Sequence, residues 1–210
     1  MGDSGSALAL ETRNLVGKQR WEAHCNTVEG FWENIASYLE PYDPCLLKLY
    51  QDGMPVGDAL GGRIAEKAAA RGSRNYQLLL KLIDKGAELR KTEDAALLVQ
   101  EHENIRRGLE NPQSSPQTRS CRAEQERLTE ARDRTIAHAV NSTLREGEIG
   151  VLFVGAAHDV CRHLDRDIQV EEVKRRDSLR AYLAALISGD PYDLRMLSDD
   201  LAPKGAPGQE

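Results

Sequence analysis

The run Ile149-Gly150-Val151-Leu152-Phe153-Val154-Gly155 constrains the fold more than any other stretch of this chain. Apart from its glycines it is apolar throughout, so both of its faces must be covered. Such a strand belongs in the centre of a sheet flanked by helices. Around it the apolar spacing is mostly helical. Helices are predicted over residues 18–40, 58–71, 75–85, 122–145 and 177–187, several ended by Pro41, Gly72 or Gly86. Another is predicted from Thr92 as N-cap, with Glu93 and Asp94 in its first turn, to about Leu109. Residues 45–50 read as a buried strand entering the tight loop Gln51-Asp52-Gly53, and residues 167–173 as a weaker, alternating strand. The expectation is an α/β fold, mostly helical with a small, largely parallel central sheet. A single α/β domain is expected over residues 1–188. Residues 111–120 (NPQSSPQTRS) read as a mobile loop within it, and 189–210, rich in Asp, Pro and Gly, as a flexible tail.

Composition excludes several classes of function. With 28 basic against 34 acidic side chains and a net charge of −6, nothing favours nucleic acid as a partner. No apolar run approaches the ~20 residues of a membrane helix, and the first residues show no basic region followed by an apolar stretch. Cys25, Cys45, Cys121 and Cys161 lie far apart with no CxxC, which gives neither a disulfide nor a zinc framework. The expected setting is the cytoplasm, with room for a homo-oligomer.

The stretch 131–158, ARDRTIAHAVNSTLREGEIGVLFVGAAH, carries the chemistry. Projected at about 100° per residue from Ile136, Val140 falls near +40°, Leu144 near +80°, Arg132 near −40° and Asp133 near +60°. Both charges therefore sit inside the apolar stripe. Buried charges need partners, so this pair is expected either to be paired or to lie at a cleft. From Asp133 to the helix end, and from Ile149 to Gly155, both segments span about 20 Å. A short turn between them brings Arg132 and Asp133 level with Gly155-Ala156-Ala157-His158, at the C-terminal end of the strand. Open parallel sheets bind ligands just beyond those ends. Asp52, after the other strand, and Glu93 are expected on the same edge. Gly155 would let a ligand approach the backbone closely. The plainer alternative makes Arg132–Asp133 a surface pair and His158 a capping histidine. His158-x-x-Cys161-x-His163 is a short cluster without a distant second pair, a weak metal signal. There is no GxSxG, and Gly61-Gly62 lacks the lysine of a phosphate loop.

Several segments carry a resemblance: LYQDGMPV (49–56), RGSRNYQLLLKLIDKGAEL (71–89), TEDAALLVQEHE (92–103), ARDRTIAHAVNSTLREGEIGVLFVGAAHDV (131–160) and LDRDIQV (164–170). They resemble an uncharacterised bacterial protein family to which no activity is attached. More remotely, RD followed by a strand ending in GAAH is similar to the TraB/TIKI and erythromycin-esterase-like superfamily. Those α/β proteins have a G-x-x-H motif in each half and an acidic residue after an early strand. The resemblance matches Asp52 to that acidic residue, Arg132 and Asp133 to the central helix motif, and Gly155 and His158 to the second G-x-x-H. Some of its members are metal-dependent proteases and others cleave esters. Relatives in the nearer family start with a strand bearing P-I-x-H; this chain opens with Met1-Gly2-Asp3-Ser4-Gly5-Ser6, so the first histidine motif is missing. Either the start lies upstream, or the protein is a degenerate member. The leading expectation is hydrolysis, with or without a divalent metal, of a small-molecule or peptide substrate. Asp52 and Glu93 would be bases or ligands, and His158 a ligand or proton carrier. Arg132 would stabilise an anion, held by Asp133. The alternative is a non-catalytic binding or regulatory protein holding an anionic ligand.

Overall fold

The computed structural model describes residues 12–110 and 116–203. Packing divides the chain into two compact units, one made of Asp43–Ala65 with Leu79–Val170, the other of Met1–Tyr42, Glu66–Leu78 and Glu171–Glu210. The elements in chain order are α1 (Lys18–Leu39), β1 (Leu47–Gln51), α2 (Asp58–Ala70), α3 (Arg74–Asp84), β2 (Glu88–Arg90), α4 (Ala95–Leu109), α5 (Pro116–Thr143), β3 (Ile149–Phe153), α6 (Arg176–Ser188) and α7 (Pro191–Leu201). Short 3-10 turns cover Pro44–Leu46 and Val160–His163. The architecture is mostly helical α/β with one small parallel sheet.

The sheet has the order β2-β1-β3, and both pairings are parallel. Leu49 lies opposite Leu89 on one side and Val151 on the other. β1 is the central strand, buried at every position, and β3 is an edge strand with Gly150 exposed. The apolar run of β3, read as central, is thus covered mainly on one side. Helix α5 supplies that cover with Ile136 and Ala137, which form a core with Val160 and are joined by Leu152 and Leu164. Gly150 permits the close approach, since a Cβ there would lie 3.3 Å from Leu144 Cδ2. At the N-terminal end of the sheet, Lys48 is buried only because its Nζ meets Glu88 at 2.5 Å and Glu148 at 3.4 Å.

Three further local readings change. Helix α4 is capped not by Thr92 but by Asp94, whose carboxylate accepts from Ala96 N at 2.8 Å. Thr92 and Glu93 are buried in the preceding loop, where their amides both donate to Met54 O. Residues 167–173 form no strand; Val170 remains 52% exposed, so the alternation there finds no surface to cover. Residues 116–120, placed by composition in a loop, open helix α5, while 111–115 lie outside the described residues.

In the other unit, residues 191–201, placed by composition in a tail, form α7. Asp190 caps it by accepting from Tyr192 N and Asp193 N, with Pro191 at the first turn. Gly189 (φ 88°) ends α6 in the left-handed conformation, and its carbonyl accepts from Arg20. His24 Nδ1 meets Tyr182 OH at 2.9 Å, and Thr27 meets Ser198 at 2.5 Å.

Leu49 is fully buried at the middle of the central strand, so Leu49→Ala should cost about 2–5 kcal/mol in denaturant unfolding. Val154, 38% exposed just beyond β3, should cost under about 1 kcal/mol when changed to Ala.

Candidate functional site

All three strands end at the same edge of the sheet, and each end delivers an acidic or basic group there. Asp52 follows β1, its amide continuing the ladder to Phe153 O at 2.8 Å. The chain then turns at Gly53, whose φ of 76° suits glycine. Glu93 follows β2 and is fully buried. Beyond β3, a turn from Gly155 O to His158 N at 3.0 Å presents His158, which is 6% exposed. Helix α5 lays Arg132 and Asp133 against this edge, buried to 5% and 1% exposure in the same stripe as Leu128, Ile136 and Val140. The structure therefore brings Asp52, Glu93, Arg132, Asp133, Gly155 and His158 into one cluster.

The pairing within the cluster differs from the one expected. Arg132 does not meet Asp133; it lies among three carboxylates from three other segments. Its Nε donates to Glu93 Oε1 at 3.1 Å, its Nη2 to Glu93 at 2.5 Å and to Asp52 Oδ1, and its Nη1 to Glu101 at 2.5 Å. Asp133, pointing about 100° away round the helix, belongs to His158 instead. Its Oδ1 lies 2.5 Å from His158 Nδ1, while its Oδ2 accepts from Asp159 N at 2.8 Å. The other imidazole nitrogen, Nε2, lies 3.4 Å from Asp52 Oδ2. That same oxygen accepts from Gly155 N at 3.3 Å. Asp52 is thus the link between the Arg132 cluster and the His158–Asp133 pair. With 23% of its side chain exposed, it is also the group among them most open to solvent.

Glu101 was missed by sequence reasoning. It is 7% exposed on α4 and is held by Arg132 and by Gln125 Nε2 at 2.7 Å. Gln125 in turn accepts from Asn104, also buried, which ties α4 to α5 through polar groups. The signal was present: Glu101 and Asn104 continue the spacing of Leu97 and Leu98 along the inward face of α4.

The charges shape one another's proton affinity. For Asp52, burial raises the pKa, but the His158 imidazole, the Arg132 guanidinium and the Gly155 amide together hold it down to about 2. For His158, burial opposes the charged form. The Asp52 and Asp133 carboxylates outweigh it and raise the pKa above its ordinary 6.5. Glu93 is raised above 4.5, chiefly by burial, with Arg132 and the Gly53 amide only partly restoring the charged form.

A divalent metal does not fit this donor set as it stands. Asp52, Glu93 and Glu101 already surround a guanidinium, and a second cation among them would be repelled at close range. His158, Cys161 and His163 do not converge: His158 turns to Asp133, His163 lies 3.2 Å from Glu130, and Cys161 is exposed. Among the described residues no other group of three His, Cys, Asp or Glu side chains could hold a metal ion. No family model matches the chain, and no curated protein or solved structure is recognisably similar to it.

Two outcomes follow. Arg132→Ala should cost about 3–5 kcal/mol, because it leaves buried carboxylates without their cation. The exposed Arg134→Ala should cost under about 1 kcal/mol, both read by denaturant unfolding. The Asp52–His158 pair should also imprint itself on stability against pH. Asp52 stabilises above its ordinary 3.8, and that contribution is lost as pH falls through about 2. His158 stabilises below 6.5, and its contribution is lost as pH rises through its raised value. Glu93, raised in the folded state, stabilises below 4.5 and works against folding as pH rises through its own raised value. The stability gap between wild type and Asp52→Asn should therefore narrow at both ends of a pH series from 2 to 9; a constant gap would contradict the ion pair.

Proposed function

We propose that this chain is a hydrolase acting by acid–base chemistry on a neutral or cationic small-molecule or peptide-like substrate. The observation that carries the reading is the 3.4 Å separation of Asp52 Oδ2 and His158 Nε2. The two groups carry opposite charges, and each shift holds its group in that state at rest, Asp52 as the carboxylate and His158 as the imidazolium. One water molecule can touch both. In the reaction, Asp52 takes a proton from that water as its oxygen adds to the substrate's acyl carbon. His158 gives its Nε2 proton to the departing group, and the bond between the acyl carbon and that group breaks. The proton on Asp52 then returns to His158, which restores the resting pair. Asp133 fixes the ring through Nδ1 and stabilises its charged form. The imidazolium that suppresses the basicity of Asp52 is the group that loses its proton, so Asp52 becomes the stronger base as the leaving group is protonated.

Substrate charge follows from the surroundings. Asp52, Glu93, Glu101 and Asp133 outnumber Arg132 and His158, which disfavours an anion at the mouth. Each of the three guanidinium nitrogens already donates to a carboxylate. The alternative, a non-catalytic protein holding an anion on Arg132, finds its donors engaged. Access is through Gly155, which is exposed; a Cβ there would stand 3.5 Å from Asp52 Oδ2 and 3.7 Å from His158 Cδ2. No helix among the described residues is long and apolar enough to cross a membrane. The four free cysteines fit the reducing cytoplasm, where we place the protein.

A panel of p-nitrophenyl esters and fluorogenic amides tests the reading. Hydrolysis should fall about 10²–10⁴-fold in both Asp52→Asn and His158→Gln. It should decline on the alkaline side as His158 loses its proton and persist in chelator. Gly155→Leu should abolish turnover while leaving the melting temperature near that of wild type. Turnover surviving in both Asp52→Asn and His158→Gln would remove the pair from the chemistry.

A further inference from the structure

We infer that Arg132 is the built-in cation of this centre, its guanidinium standing among Asp52, Glu93 and Glu101, beside His158, where a centre of this make-up takes a divalent metal ion. Three carboxylates and an imidazole form a donor set suited to zinc, manganese or magnesium. In this fold they come from the ends of β1, β2 and β3 and from α4, so the parallel sheet gathers them without any metal-binding sequence spacing.

Two features show that the guanidinium shapes the cluster. First, each carboxylate addresses a different part of a planar fork: Glu101 at Nη1, Glu93 along the Nε–Nη2 edge, and Asp52 at the other side of Nη2. Oxygens spread around a flat five-donor group share no common centre at the ~2.0–2.6 Å a metal shell requires. Second, one positive charge faces three negative ones. Glu93, the most deeply buried of the three, has its proton affinity raised chiefly by burial, which Arg132 offsets only in part. Gln125, donating to Glu101 from the far side, holds that carboxylate in place independently of Arg132. Without the guanidinium to space them, the carboxylates can close on a common centre and take up a divalent ion.

The inference concerns the cation at the proposed hydrolytic site, but metal retention reads it without any substrate. It therefore stands or falls separately from the proposed chemistry. The full-length protein is stripped with chelator, incubated with Zn²⁺ or Mn²⁺, passed through a desalting column and analysed for bound metal. Wild type should retain no metal dependent on Asp52, and its melting temperature should not respond to either ion. Arg132→Ala should retain one equivalent, with a melting temperature raised by the ion and restored by chelator, and adding Asp52→Asn should abolish retention. Arg132→Lys, which keeps a cation in place, should retain none. If Arg132→Ala is unfolded without metal, the same comparison is read from refolding on addition of the ion and from the bulkier Arg132→Met. One equivalent held by wild type and lost in Asp52→Asn or His158→Ala would overturn the inference. So would folded Arg132→Ala and Arg132→Met proteins that both ignore the ions.

Discussion

A single guanidinium, buried to 5% exposure on α5, joins the loop after β1, the loop after β2 and the inward face of α4. Each of those segments carries a carboxylate that would be costly to bury alone. Arg132 would be equally costly without them. The four groups therefore order one another, and with them the loops that extend the sheet beyond its last hydrogen bonds. The apolar part of the same helix, Ile136, Ala137 and Val140, then seats α5 on the sheet unit. Hydrophobic packing positions the helix; the charge cluster fixes how the strand ends are arranged around it.

The next residue, Asp133, uses the 100° step of the helix to serve a different partner. It orients His158 and leaves Nε2 directed at Asp52, so the buried cluster and the imidazole meet at one partly exposed carboxylate. The arrangement separates two tasks. Arg132 holds the acidic groups in a buried setting, and the Asp133–His158–Asp52 line, at the rim, is the part we propose moves protons. In low-dielectric surroundings such opposed charges strongly set each other's proton affinity, so each holds the other in its charged form.

Much of this was legible in residue order because helical periodicity is a local property. Two charges inside an apolar stripe announced a paired or cleft-facing site, and the matched lengths of helix and strand placed His158 beside them. The partners were not legible. That Arg132 turns to Glu93 and Glu101 while Asp133 turns to His158 depends on side-chain directions across four segments. Residues 45–50 read as a buried strand, but Lys48 interrupts their apolar run, so the unbroken 149–155 run read as the central one. Yet Lys48 is neutralised by Glu88 and Glu148, and Gln51 Nε2 donates to Asp52 O at 3.0 Å. Helix α7 was hidden by acidic composition, although Asp190-Pro191 was a cap and first-turn signal within it.

The central claim is that Asp52 and His158 form an ion pair poised for proton transfer. The most direct measurement is the titration of the His158 imidazole by NMR, assigned through its loss in His158→Gln and repeated in Asp52→Asn. The account predicts a midpoint above 6.5 in wild type that falls in Asp52→Asn, where burial is opposed by Asp133 alone. A wild-type midpoint at or below 6.5, or one unmoved by Asp52→Asn, would contradict it.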